Sequence, residues 1–356
     1  MLRARPASLL LVSVGAAVAL AACSGPGTAR PVGATARPTT PSPQASVPSP
    51  TPKPSVVTAR WPLTGAPRPA GAAAHAALTV KIENTPDARP QRGLNGADVV
   101  FEELVEGGIS RFAAVYHSQL PDVVGPVRSI RPMDPPMAAQ FAGLFAYSGG
   151  QRPFVDALHA SASQDVGIDR ATSAYYRDGA KVAPHNLMLH PAKALARADA
   201  KHRTDPKALA AFATDPAGST AATAGSPASL LNLRFSTFEQ PRWTWTGSAW
   251  VRSERSTPAT SSGERISAAN VVVLRVAVRS TRYHDPIGTP VPETVLAGAS
   301  GTGLVASDGR TVAVRWSKAG ASAPLVLKTA SGGTLRLAPG RSWIELVPLT
   351  GSVAVS

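Results

Sequence analysis

The sequence predicts an α+β chain with two folded parts, and three observations carry that reading. In the first, two apolar-rich runs, Asp98 to Glu106 and Ile109 to Tyr116, flank Gly107-Gly108 inside the stretch Gly93 to Pro132. A Gly-Gly pair between β-rich runs signals a hairpin, because a primed turn needs φ > 0, where glycine has no Cβ to clash. Next come short helical segments opened by proline, at Pro153, Pro191 and Pro206. Beyond Leu230 the pattern switches to short β-branched runs with Gly-rich turns, after the low-complexity stretch Asp215 to Pro227.

The hairpin organises the first half. With a two-residue turn, Glu106 faces Ile109, Leu104 faces Arg111, and Glu102 faces Ala113. Strand side chains alternate, so Glu102, Leu104, Glu106 and Arg111 are expected on one face. Arg111 would then stand diagonally between two carboxylates, at a separation of roughly 7–8 Å that long side chains can close.

The remaining elements follow in order. Arg3 and Arg5 precede an apolar run from Leu9 to Leu20, ending in Leu20-Ala21-Ala22-Cys23. A basic start, a short apolar core and small residues before the cut read as a secretory signal peptide over 1–22, too short for a membrane span. The Leu-Ala-Ala-Cys ending resembles the bacterial lipobox, which implies lipidation of Cys23 (a diacylglyceryl group, with palmitate-type acyl chains) and cleavage before it. Two acyl chains suffice for stable membrane anchoring. Cys23 is the single cysteine of 356 residues, which excludes an intramolecular disulfide and leaves no thiol for cysteine-based catalysis. Residues 23–60 are Pro, Ser, Thr, Ala and Gly with almost no large apolar side chain, a disordered Pro-rich tether. Trp61-Pro62-Leu63-Thr64-Gly65 reads as its docking point.

Leu78 to Glu83 alternates like a strand and ends at the turn Asn84-Thr85-Pro86-Asp87. After the hairpin, Pro121 to Pro132 is a loop carrying Arg128 and Arg131. A short helix is expected over Met133 to Phe141, a strand over Leu144 to Tyr147, and a helix from Pro153 to about His159. Tyr175 to Asp178 and Ala183 to Leu187 read as strand or loop, and Pro191 to Lys201 and Pro206 to Phe212 as helices. The first domain is set at 61–215, a linker or loop at 216–228, and the second domain at 229–356. In that second domain, hairpin strands are expected around Trp243-Thr244-Trp245 and Trp250-Val251-Arg252, and a central strand over Asn270 to Val278. Further strands are expected at Val312 to Trp316, Leu325 to Lys328, Thr334 to Leu337 and Trp343 to Val347.

The formal charge of +14 looks like a nucleic-acid signature until it is mapped. Between Lys81 and Pro241 there are 16 basic and 16 acidic residues; from Arg242 onward there are 13 basic and 6 acidic. The excess sits on the tether and the second half. For an exported lipoprotein the counterpart is an anionic lipid or wall polymer, or simply solvent, and no nucleic-acid partner is expected.

The strings ADVVFEELVEGGISRF, GPVRSIRP, YSGG, YYRD and APHN, with Ala269 to Val273 and Pro339 to Trp343 later on, resemble the YerB-like bacterial lipoprotein family, a domain of unknown function. The match runs from Pro62 to the end. The resemblance implies a layered α/β N-terminal domain with a mixed sheet, a smaller β-rich C-terminal domain, an extracytoplasmic location and no established activity. It also implies Glu at Glu102 and Glu106 and Arg at Arg111, a variable residue at Glu103, and a serine at Ser148 that some relatives lack.

Two readings of the charged cluster stand side by side. In one it is an ion-pair ladder that pins hairpin register. In the other Glu102, Glu106, Arg111, Arg128, Arg131, Arg177, His185 and Asn186 line a cleft for an anionic ligand or partner, since the planar guanidinium fork suits carboxylate and phosphate. Five gathered charges would be costly to bury unless paired or liganded. The enzyme alternative is a cell-wall hydrolase using carboxylates of that cleft, but Glu102 and Glu106, four strand residues apart at about 13 Å, lie too far from each other for glycosidase chemistry. Serine hydrolysis through Ser148 and His185 lacks a G-x-S-x-G elbow. No metal-binding motif is present, and no metal or cofactor is expected. Gly301 to Ala306 matches G-x-G-x-x-A only formally, having no helix after it. Trp243, Trp245 and Trp250 are expected to pack in a core rather than to form a sugar platform.

Overall fold

The computed structural model describes residues 59–356. The expected signal peptide, the expected lipidation site Cys23 and nearly all of the expected tether lie outside the described residues. The first half supplies β1 (Leu78–Glu83), β2 (Val99–Leu104), β3 (Ser110–Tyr116), β4 (Leu144–Ala146) and β5 (Gln164–Asp165). The second supplies β6 (Leu230–Arg234), β7 (Pro241–Trp245), β8 (Trp250–Glu254), β9 (Asn270–Val276), β10 (Ala299–Ser307), β11 (Arg310–Lys318), β12 (Val326–Thr329), β13 (Ser342–Pro348) and β14 (Ser352–Val355).

A mixed sheet of eleven strands runs through both halves in the order β12-β11-β10-β9-β13-β2-β3-β1-β4-β5, with Ser226–Pro227 added beside β11. β13 lies parallel to β2 on one side and to β9 on the other, so this strand of the second half joins the two halves by a continuous ladder. β1, β3 and β13 are buried along their whole length. Strands covered on both faces need no polar alternation, as in SWIELVP, whereas LTVKIE keeps its alternation and buries Lys81 and Glu83 beside opposite charges.

The α+β expectation holds for the mixed sheet and only in part for the layers. Among the described residues helices are few and short: α1 (Asp134–Ala138), α2 (Arg152–His159), α3 (Pro191–Leu195) and α4 (Thr220–Ala224). One face of the large sheet is covered by a second sheet, in the order Thr257–Pro258, β8, β7, β6, β14. Trp243 and Trp250 of that sheet are fully buried, and Trp243 meets Trp343 of β13 at 5.2 Å between ring centroids. The tryptophans therefore pack a core between sheets. The opposite face buries Phe101, Ala113 and Val115 against Met133, Met137 and Phe141, from α1 and the turns bounding it.

Two local expectations differ. Pro206 to Phe212 forms no helix; Ala211–Phe212 pairs instead with Arg336–Leu337, so sheet contact overrides the helical preference of alanine. Residues 216–228, expected as a linker or loop, hold a helix. Ser219 caps α4 by accepting from the Ala222 N–H, and Arg310 binds the Gly225 carbonyl behind it. Gly301 and Gly303 lie within strand β10, not in a phosphate loop; a Cβ on Gly303 would stand 2.1 Å from the Val273 carbonyl oxygen. At the docking point, Leu63 is fully buried and the Trp61 ring meets His117 edge-on at 5.1 Å.

Candidate functional site

The hairpin forms, but its loop holds three residues. Val105 N–H donates to the Ile109 carbonyl across Glu106-Gly107-Gly108, and both glycines take positive φ, 70° and 72°. The register is therefore one residue from the two-residue expectation: Glu102 faces Phe112, Glu103 faces Arg111 and Leu104 faces Ser110. A one-residue slip moves every side chain of one strand to the other face. Glu102 thus points away from Arg111, and the Glu102/Arg111/Glu106 cluster does not exist. An acid–base–acid ladder is present with other acids, because Glu83 of β1 also stands opposite Arg111.

Glu102 enters the chamber between the two sheets. There Arg252 donates to both its oxygens, 2.7 Å to Oε2 and 3.0 Å to Oε1, and reaches Glu345 at 3.1 Å and Glu254 at 2.8 Å. Arg252, Glu102 and Glu345 are fully buried. Burial alone would lower the Arg252 pKa, but Glu102, Glu254 and Glu345 overcome it and hold the guanidinium charged. Rings of Trp343, Phe112 and Trp243 lie 5.0, 5.3 and 5.8 Å from its central carbon. Glu102 belongs to this enclosed structural network.

On the opposite face, Lys81 is fully buried and bound to Glu103 and, at 2.8 Å, to Asp134 at the start of α1. Burial pulls Lys81 down to about 8, against the pull of Asp134. Beyond this triad the chain Pro126 to Arg131 runs along the end of β1. Arg128 N–H donates to the Lys81 carbonyl, and Glu83 N–H to the Pro126 carbonyl. That path brings Arg128 and Arg131 to Arg111. Arg131 Nε lies 2.6 Å from Glu106 Oε1, and Arg128 Nε lies 3.3 Å from Glu83 Oε1, neither with hydrogen-bond geometry. His185 Nδ1 sits 2.9 Å from Glu83 Oε1, so this histidine is engaged by a carboxylate and not by Ser148.

Arg111 is buried, gives one hydrogen bond to the Ser129 carbonyl at 3.0 Å, and leaves its Nε without a partner. Burial, with Arg131 and Arg128 beside it, pulls its pKa down to about 9. A guanidinium does not give up its proton in proteins, so this marks a cation short of counter-charge. Lys81 stands between Glu103 and Asp134, and the three arginines stand nearer Glu83 and Glu106, so four cations and four carboxylates balance over the whole cluster.

Arg177 and Asn186 stand slightly apart. Arg177 is exposed and donates to Asn186 Oδ1 at 2.8 Å, while the Asn186 amide donates to the carbonyls of Asp178 and Lys181. Asn186 is thereby fixed as a loop brace. Glu83, Glu103 and Lys81, which the sequence reading did not single out, are central; the three-residue loop was the signal that would have found them.

Two family descriptions match the chain: "Protein of unknown function (DUF3048) N-terminal domain" over residues 63–204, and the corresponding C-terminal domain over residues 231–344. The Bacillus subtilis protein named "Putative lipoprotein YerB" is 25% identical over 305 residues, covering 83% of this chain and 88% of its own length. The crystal structure of the YerB protein from Bacillus subtilis aligns with a TM-score of 0.71 at 24% identity, over 83% of this chain and 99% of that one. With both domain descriptions matched in order and the fold shared, this chain belongs to the DUF3048 family, the YerB-like proteins of unknown function.

Proposed function

We propose that the protein is an extracytoplasmic lipoprotein, anchored through Cys23, that binds an anionic envelope ligand on Arg111, Arg128 and Arg131. The observation that carries this reading is the buried Arg111 Nε with no acceptor, set beside two further arginines, Arg128 and Arg131. A carboxylate or phosphate oxygen placed there would accept from a donor that is otherwise costly to leave unmet. The flanking Glu83 and His185 hold Arg128 at the edge of the cluster, where its side chain keeps 22% exposure. Anchoring is supported by the Leu-Ala-Ala-Cys sequence and by the name of the Bacillus subtilis relative. Among the described residues no helix is long and apolar enough to cross a membrane.

The test is titration of the chain with inorganic phosphate and with poly(glycerol phosphate), by calorimetry at low and physiological salt. Saturable binding that weakens with salt, and is lost in Arg128→Ala without a change in melting temperature, is expected. Equal heats for wild type and Arg128→Ala would leave the cluster a structural ladder.

A further inference from the structure

One end of the small sheet is a rim of three turns. β6 runs into the turn 235–240, Arg255 follows the end of β8, and the turn 349–351 leads into β14. The pairings Pro241 with Glu254 and Arg234 with Ser352 set all three at the same end. Phe238 and Leu349, in two of these turns, are 68% and 61% exposed. A groove of about 610 Å³ opens beside them, lined by Arg234, Arg242 and Arg255 with the neutral Asn232, Gln240 and Ser352, and by no carboxylate.

Among the described residues these three arginines bond neutral acceptors and pair with no acid. Arg242 Nε donates to Asn232 Oδ1 at 2.7 Å, and Arg234 Nε to Ser352 Oγ at 3.3 Å. Arg255 donates to the Thr237 carbonyl at 2.6 Å, which braces the turn carrying Phe238. Asn232 stands opposite Arg242, so Arg234 lies diagonal to Arg242 on the outer face of the sheet. Like charges so gathered repel each other. Arg255 also borders a second cavity, of about 550 Å³, where Arg89 stands 3.3 Å from Glu254 and 3.5 Å from Glu239. Acids and bases are mixed there, whereas the groove at Arg242 holds cations alone.

We propose that this end of the small sheet docks on an anionic phospholipid surface, with the three arginines on headgroup phosphates and Phe238 and Leu349 in the headgroup–acyl boundary. Guanidinium forks suit phosphate, and a cationic face without acids is drawn to a negative leaflet. The apolar side chains decide between a bilayer and a soluble polyanion. A lone exposed Phe or Leu is ordinary, but two on the rim of one cationic groove are covered by a membrane interface and left in water by a polymer. The face adds to the expected lipid anchor and is too weak alone to hold the chain through cell fractionation. It rests on the membrane location proposed above and not on Arg111; a free phosphate meets it at one point only and does not saturate it. The stretch from Cys23 to Thr58, at up to roughly 3.4 Å per residue, is long enough to let this end reach the bilayer.

The experiment is co-sedimentation with vesicles of the chain beginning at Ser24, which keeps the whole folded unit and carries neither signal peptide nor Cys23. Vesicles of phosphatidylcholine with about one-third phosphatidylglycerol are expected to bind it about tenfold more tightly than pure phosphatidylcholine, and less so as salt rises. Affinity should fall about tenfold in Arg234→Gln combined with Arg242→Gln, and should also fall in Phe238→Ser, with melting temperatures unchanged. Arg128→Ala should bind vesicles as the wild type does, which separates this face from the phosphate site. Equal binding to neutral vesicles, undiminished binding in the double arginine variant, or loss in Arg128→Ala would overturn the assignment. So would absence of vesicle binding; heat from poly(glycerol phosphate) that then vanished in the double variant would give the groove to a soluble polyanion.

Discussion

Arg252 holds Glu102 through two hydrogen bonds, 2.7 and 3.0 Å long, although 150 residues separate them in the chain and neither side chain reaches solvent. The pair ties β8 of the small sheet to β2 of the large one. Glu254 and Glu345 complete the coordination, and Trp243 adds an indole N–H to Glu345 at 2.6 Å.

Removing the guanidinium leaves three carboxylates without their common partner. Arg252→Met is expected to destabilise the chain by about 3–5 kcal/mol, the usual cost of breaking a buried pair from one side. Glu102→Gln, which keeps an acceptor for Arg252, should cost less. Urea denaturation of the two variants checks the order.

Lys81 offers the same test on the other face. Lys81→Met strands Glu103 and Asp134 and should cost about 3–5 kcal/mol, whereas Lys81→Met combined with Glu103→Leu and Asp134→Leu should recover much of the loss. A triple variant no more stable than Lys81→Met would contradict this, as read from denaturation midpoints.

The acid pair at the cavity predicts a pH dependence. Glu239 has a folded pKa raised from 4.5 to about 9, chiefly by burial, so its contribution is fully present below 4.5 and is lost as pH rises toward 9. Burial acts on Glu254 in the same sense, but Arg252 and Arg89 overcome it and leave that pKa below 4.5, so its contribution is lost only in acid below that value. The melting temperature should therefore fall between pH 6 and 9, and Glu239→Gln should flatten that slope. An unchanged slope in the variant would assign the dependence elsewhere.

The hairpin loop predicts a backbone effect without a steric one. Gly107 has φ of 70°, and a Cβ there would meet nothing within 4 Å. Gly107→Ala should cost about 1–2 kcal/mol from the left-handed conformation alone, and Gly107→Asn less. Thermal melts of both variants distinguish this from a packing defect, which would rank the larger asparagine worse.

The anchor is tested on intact cells. Cys23→Ala should abolish incorporation of labelled palmitate and release the chain from the membrane fraction. Persistent membrane association of that variant would remove the lipid from the proposal.

How much of this was legible beforehand depends on the range of the interaction. Short-range signals read well: the proline at Pro153 opening α2, the β-branched run Asn270 to Val276, and the Trp245–Trp250 hairpin ends follow from local conformational preference. Helix length read poorly, since α3 ends at Leu195 where the alanine pattern continues to Lys201. Glu102 and Glu103 show the limit most clearly. They are adjacent, identical in chemistry and sent to opposite faces, and only the loop length decides which meets Arg111.

The sequence by itself determined the strands on either side of Gly107-Gly108 and the gathering of Arg128 and Arg131 in one loop, because each rests on neighbours in the chain; the secretory-signal and lipobox expectation falls outside the described residues. Tertiary structure decided the register, the union of both halves in one sheet through β13, the Arg252 chamber and the cavity at Glu254. Apart from the register, which the loop length sets, those features join residues far apart in the chain. Their partners are selected by burial and charge balance in three dimensions, which no local pattern encodes.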